Sequence, residues 1–437
     1  MSTSELVYLD TPVSESGSLA VSAATTESAI DVASETTGPT DTASAPWESL
    51  RYLNTNVFGG EQTLQKARVC HYVTAYGYGC LPQATTREAC AWGALAGSRV
   101  TTAEAFTAAG FEALSQVTDA SRNTAFGHQA AAFTDAPSNT ALGAGALLKN
   151  TTGRQNTVIG DLALAQSQTG SGNTVTGYFA GHGVGTGERC TLTGHRCMES
   201  TALEPADRPA EVTDVAAYGA ECLKDNVASA NTAYGTRAGV GNQTGTELVL
   251  VGYEALAEAL TAQACTAVGH QALKTAWGSN NTGVGARVMA GAPSLGDDNS
   301  GFGCEALFKN VGHRQTAAGY RCLYSLEQGL ENTAMGHQAG AALQSGSGNV
   351  LLGADTAAVS SGSYHVAVGH RAGPTKPDLE ATVCLGAGAQ ATESHQVVLG
   401  SVVHPVQVDD APSDSVPSAT LRLTVNGQRY RIALLPD

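Results

Sequence analysis

Between Gly77 and Gly400 the chain repeats one order of polar and apolar positions: a polar residue, usually Asn, then a small polar residue, two apolar residues and a glycine. Asn123-Thr-Ala-Phe-Gly127 sets the pattern, and Asn139-Thr-Ala-Leu-Gly143, Asn156-Thr-Val-Ile-Gly160, Asn231-Thr-Ala-Tyr-Gly235 and Asn332-Thr-Ala-Met-Gly336 follow it closely. Asn173 and Gly177 belong to the same set, and Cys265-Thr-Ala-Val-Gly269 and His365-Val-Ala-Val-Gly369 vary its first residue. Twenty anchor glycines occur, and the step from one to the next is nearly constant. A period this regular, about 17 residues, predicts stacked coils, so each position is read as one copy of a column.

Within a coil the apolar pair before the glycine (Val158 and Ile159, Leu250 and Val251) predicts a brief strand, and the glycine permits a backbone turn that other residues resist. The following polar-polar-Ala-Leu segment, as in Tyr253-Glu-Ala-Leu256 or Cys304-Glu-Ala-Leu307, predicts a second short strand. Loops such as Lys149-Asn-Thr-Thr-Gly153 and Gln344-Ser-Gly-Ser-Gly348 return the chain to the next coil. A helical alternative fails because a glycine and a loop in every period leave too little room for helices of ordinary length. The expected class is all-β, a parallel β-roll or solenoid roughly 90 Å long at about 4.8 Å per coil.

In such a stack the Asn column is structural, its amides passing hydrogen bonds from coil to coil. The enclosed core is almost entirely Ala, Val and Leu. Chain association is therefore expected to bury the Leu column (Leu147, Leu164, Leu223, Leu256, Leu273, Leu307 and Leu323), and a rod of fixed register suits a homotrimer.

Four segments follow. Residues 1–50, rich in Ser, Thr, Ala and Glu, read as a flexible tether or adaptor. Residues 51–67 form the base of the rod, with Trp47, Leu50, Tyr52, Leu53, Val57 and Phe58 as a small core. The repeat shaft spans 68–400. Residues 401–437 close with alternating strands on either side of Asn426-Gly427, the sequence signature of a two-residue hairpin, as a tip or foot. The step from Gly194 to Gly219 is about half as long again as the others. Its surplus near 202–209 is expected to leave the shaft as a loop, with Glu204, Asp207 and Arg208 as candidate receptor contacts.

Composition narrows the function. Charged residues make up only 14% and glycines number 51, so small residues must stack in place of a large-hydrophobe core. A net charge of -16 argues against nucleic acid and anionic membrane as partners. No run approaches membrane-spanning length, and the acidic start lacks a basic leader, so synthesis in a cytosol is expected. Cys80, Cys197, Cys222 and Cys322 stand three residues after an anchor, where other coils carry Ala130 or Ala146, and read as small buried hydrophobes. Neither CxxC nor HExxH occurs, so no metal or cofactor is expected. His128, His195, His270, His337 and His370 follow anchors directly, in a column shared with Tyr178, Tyr253 and Tyr320, and read as outer or inter-chain contacts. One residue later Arg196, Glu221, Arg237, Glu254, Arg287, Glu305 and Arg321 alternate in sign, which suits pairing between coils. No nucleophile, base and orienter assemble from spacing, so the chain is not read as an enzyme; Asp297-Asp298 and Asp409-Asp410 are its paired carboxylates and read as solvated loop acids.

The Asn-Thr-Ala-x-Gly-x-x-Ala-Leu pattern, with loops like Asn150-Thr-Thr-Gly153, resembles the repeats of phage and large-virus fibre proteins, themselves similar to the head repeats of trimeric autotransporter adhesins. The resemblance covers about three quarters of the chain. It implies a left-handed parallel β-roll with three chains side by side in a virion fibre or spike. The implied partners are other virion structural proteins at one end and a host surface glycan or receptor, with host attachment as the function. The coil is longer than is usual in bacterial adhesin heads, and no stalk, membrane anchor or self-cleaving chaperone segment follows the repeats. These departures rank a bacterial surface adhesin second. A glycan-degrading spike is a further alternative, and an ice-binding solenoid is disfavoured because regular Thr arrays are not evident.

Overall fold

The computed structural model describes residues 56–67, 70–200, 212–291, 296–403 and 405, and the backbone of 420–425 and 428–433. The tether, the candidate contacts Glu204, Asp207 and Arg208, the hairpin turn Asn426-Gly427 and the pair Asp409-Asp410 lie outside the described residues.

The chain is an all-β parallel solenoid of about 19 coils of roughly 17 residues. One 21-stranded sheet runs from Val57–Gly59 to Val397–Leu399, each coil giving one strand, most of them three residues long. Every pairing in it is parallel and column-true: Thr124 faces Thr140, Ala125 faces Ala141 and Phe126 faces Leu142. The first strand already lies in the segment expected as a separate base, with Val57 opposite Thr74. Two minor parallel pairs flank the sheet, Gly187–Glu188 with Val212–Thr213 and Gly373–Pro374 with Gln390–Ala391. Near the C-terminus Thr420–Val425 and Gln428–Ala433 pair antiparallel with Val425 opposite Gln428.

The expected second strand is absent from most coils, and only Gly373–Pro374 and Gln390–Ala391 pair briefly after the anchors Gly369 and Gly386. In coils such as that of Gly127 the residues after the anchor form three overlapping turns instead. After Gly127 the amides of Ala130, Ala132 and Thr134 donate to the carbonyls of Gly127, Gln129 and Ala131. The third residue of a turn of this kind has positive φ, and Gln129 and Ala131 stand at 54° and 49°. The alternate amides point along the stack: Gln129 donates to Phe111 of the preceding coil, Ala131 to Ala146 of the next. Apolar-polar pattern alone did not separate this from a strand, because a chain of turns also sends alternate side chains inward. Leu147, Leu164, Leu256 and Leu307 occupy the second left-handed position at φ near 50°, an uncommon conformation for leucine, held here by hydrogen bonds on both sides.

Those leucines also correct the expectation about the core. All seven members of the column are at most 1% exposed within one chain, so the Leu column needs no second chain to cover it. The solenoid encloses the strand centres (Ala125, Val158, Leu250), the Ala or Cys column three residues after the anchor, and the leucines. Where Gly239 or Gly340 replaces leucine, Leu223 or Leu323 of the coil before fills the space beside its α carbon.

The anchors fix the spacing of the coils. Gly160 has φ of +137°, and a Cβ on it would strike the carbonyl of Gly177 directly above; the same contact repeats at Gly127 on Gly143 and Gly336 on Gly353. Gly160→Ala is therefore expected to cost at least about 1–3 kcal/mol in backbone strain alone. Gly185→Ala, at a glycine with open space around it and no positive φ, should change stability by less than about 1 kcal/mol. Urea unfolding of the two variants checks the contrast, and equal losses would refute it.

Candidate functional site

Among the described residues no pocket dominates the surface; the functional candidates are columns running the length of the stack. The sheet's outer face carries two of them. Each strand buries its middle residue and turns the other two outward. The first rank is largely threonine, including Thr124, Thr140, Thr157, Thr174, Thr191, Thr266 and Thr333. This corrects the expectation that no regular Thr array exists: the threonines lie three residues ahead of the glycines and form one straight rank. The second rank is mostly large and apolar, with Trp92, Phe126, Leu142, Ile159, Tyr234, Phe302 and Met335 all exposed, and it is interrupted by Ala109, Thr176, Thr193 and Ala318. Among the described residues only Thr174–Thr176 and Thr191–Thr193 place threonine in both ranks, so the paired threonine grid an ice-binding face needs does not develop.

Past the anchor comes a column of rings and small residues. Phe111 stacks on His128, Tyr178 on His195, Tyr253 on His270 and Tyr320 on His337, with centroids 5.4–5.6 Å apart. Two coils of small residues follow each of the first three pairs: Ala144 and Asp161, Ala220 and Thr236, Ala286 and Cys304. From Phe111 to His337 the column therefore has a period of four coils, ring-ring-small-small, which His370 breaks two coils later. The sequence carried the signal in the steps between His128, His195, His270 and His337, of which the first and last are equal and the middle one is enlarged by the insertion.

The next column is the alternating charge ladder, and it does pair between coils. Arg287 and Arg321 reach the Glu305 carboxylate from either side at 2.7 and 2.6 Å. Arg237 contacts Glu254 at 2.9 Å, while Gln271 donates to the same carboxylate and Lys274 lies 3.1 Å away. The Gln271 hydrogen bond, aided by Lys274, holds the Glu254 carboxyl below its ordinary range. Arg196 breaks the pattern by pairing with Glu199 in its own coil at 2.7 Å.

Inside the wall runs the Asn column. Asn123, Asn139, Asn156, Asn173, Asn231 and Asn332 are at most 1% exposed. The amide oxygen of Asn139 accepts from the backbone N–H of Asn156, and its Nδ2 donates to the carbonyl of Gly153. Asn156 treats Asn173 and Gly170 likewise. The ladder thus clamps backbone more than it joins amide to amide, although Asn156 and Asn349 also donate directly to the Asn oxygen of the coil before. The anchors Gly127, Gly143, Gly160, Gly177, Gly235 and Gly336 line the corner beside it.

Four thiols of the Ala/Cys column, Cys80, Cys197, Cys222 and Cys322, are fully buried, and burial raises the Cys80 and Cys322 thiols to about 12. Of the paired acids, Asp297 accepts from the Ser279 amide and Asp298 from the Asn280 side chain, loop contacts that tie neighbouring coils. A shallow trough of about 400 Å³ follows the return loops, lined by serines such as Ser345, Ser347 and Ser361 with Asp378 and Glu380. Among the described residues no cluster of three His, Cys, Asp or Glu is set to hold a metal ion, and no helix is long and apolar enough to cross a membrane. No protein-family model matches the chain, and no curated protein matches it.

His365 stands in the Asn column, 1% exposed, with Thr382 Oγ1 2.8 Å from its Nδ1 and the Thr382 amide donating to the same nitrogen. Burial lowers its pKa, and protonating Nδ1 would remove the acceptor that Thr382 uses. The unfolded chain therefore takes up the proton first: stability is full above about pH 6.5, the ordinary histidine value, and falls as the pH drops below it. Thermal melts between pH 5 and 8 should show this loss in the wild-type chain and a flatter profile in His365→Asn, which restores the column's usual residue. Identical profiles would exclude His365 as the source.

Proposed function

We propose that the chain is a structural fibre or spike protein of a virion, in which three copies pack side by side and mediate host attachment by multivalent binding. The observation that carries this reading is the outer face of the 21-stranded sheet, a rank of mostly large apolar side chains, interrupted at Ala109, Thr176, Thr193 and Ala318, with no covering element among the described residues. At about 4.8 Å per strand and 10 Å across, that face offers on the order of 1,000 Å² per chain, comparable with the roughly 800 Å² each partner gives to a stable interface. Isolated exposed hydrophobics are ordinary on a protein surface, but a stripe that recurs along the length of a sheet marks an interaction face. Three stiff shafts held together gain avidity from contacts that are individually weak, and attachment then requires no deep pocket.

Size exclusion with light scattering on the full chain tests the assembly. A mass near three times 44.4 kDa is expected, falling to the monomer in Phe126→Asp/Phe302→Asp. Retention on a surface-glycan array should be at least about tenfold greater for the trimer than for that variant. A monomeric wild-type chain would overturn the three-chain reading.

A further inference from the structure

We infer that the ring-and-notch column is a docking face for a second copy of this chain lying antiparallel, with the ring pairs of each copy seated in the notches of the other. This face is a different column from the sheet's apolar rank, so the inference stands apart from the three-chain reading.

The geometry follows from the four-coil period. A ring pair and a small-residue pair each occupy two coils, about 10 Å along the stack. Ridges and notches of equal length are complementary to themselves after a shift of half a period. Parallel copies at equal height set ring against ring, and a parallel shift of two coils leaves coils unmatched at both ends. An antiparallel copy matches the whole run of sixteen anchors from Gly110 to Gly369. With the twofold axis between the coils of Gly235 and Gly252, Tyr253 faces Thr236 of the other copy, Tyr178 faces Cys304 and His128 faces Ala354. Only the end pair, Phe111 and His370, meets ring on ring. The flanking charge column fits the same register at its centre and its ends, where Arg237 meets Glu254 and Glu112 meets Arg371. Arg196 against Arg287 is its one like-charge pairing, and Arg196 is neutralised by Glu199 in its own coil. Such a self-complementary surface is what a twofold, isologous interface requires.

The exposed thiol of Cys304 provides the test. Its expected neighbour is Tyr178 of the other copy, whereas within one chain these positions are seven coils, roughly 34 Å, apart. Oxidation of the full-length Tyr178→Cys chain with diamide should give a disulfide-linked dimer on a non-reducing gel, absent from Tyr178→Cys/Cys304→Ser. Asp161→Cys, which keeps every ring, should link to Cys304 diagonally if the Tyr178 variant weakens docking. Phe111→Cys, far from Cys304 in this register, should not link. Three outcomes overturn the inference: no dimer from either the Tyr178 or the Asp161 variant, self-linking of Phe111→Cys, or linking of the wild-type chain through Cys304 to Cys304, which is the mark of parallel copies in register. Diamide captures the ring-face contact as an encounter that does not survive size exclusion, so a three-chain mass reads the sheet face and the cross-link reads the ring face, and the two readings fail separately.

Discussion

Everything in this structure rests on backbone pressed against backbone at the anchor glycines. From Gly77 to Gly369 each anchor adopts a φ between +124° and +142° and lies against the carbonyl of the anchor in the next coil, too close for any side chain. That contact sets rise and register together, because only coils aligned glycine over glycine approach to sheet distance. The strands pair in register because the anchors do, and the Asn, Leu, ring and charge columns inherit the alignment. Stability then accumulates coil by coil through nearest neighbours, as in other solenoids.

Polar groups in so thin a wall have little access to water, and the coil satisfies them in two ways. The turns alternate their amides between their own coil and its neighbours, while the Asn side chain supplies both a donor and an acceptor to the coil beyond. The column tolerates replacement because its work is shared. Cys190, Leu248 and Cys265 stand where asparagine is missing, each buried, and the sheet continues past them. His365 is a different substitution: it keeps a polar contact to Thr382, but it brings a proton-binding group into a site that disfavours charge.

Much of this was legible in the sequence, and the parts that were not share a cause. The period, the parallel sheet, the buried cysteines and the pairing of Glu305 with two arginines follow from counting columns. The turn segment did not: Tyr253-Glu-Ala-Leu256 alternates as a strand would, and nothing in its composition announces that Glu254 and Leu256 take positive φ, since neither is glycine or asparagine. A strand there would open the coil and leave the leucines needing a partner. The real coil is narrower and closes on them. The Thr rank and the four-coil ring period were visible too, but only after each residue had been assigned to its place around the coil.

Length variation shows how this architecture separates structure from contact. From the Asn column to the end of the turns each coil is nearly invariant. The difference between shorter and longer coils falls in the return loop, which takes four residues at 135–138 and five at 151–155. The surplus between Gly194 and Gly219 is absorbed without shifting the sheet, since Thr191–Thr193 still pairs in register with Ala216–Tyr218. One edge therefore accepts insertions while the sheet face and ring corner keep a fixed rise. Translational repetition also explains why chemistry is hard to place here. A catalytic constellation must be unique, whereas a stack of equivalent coils presents every side chain as one of a series. What such a surface does well is repeat a weak contact at constant spacing, and that favours partners with length and register of their own.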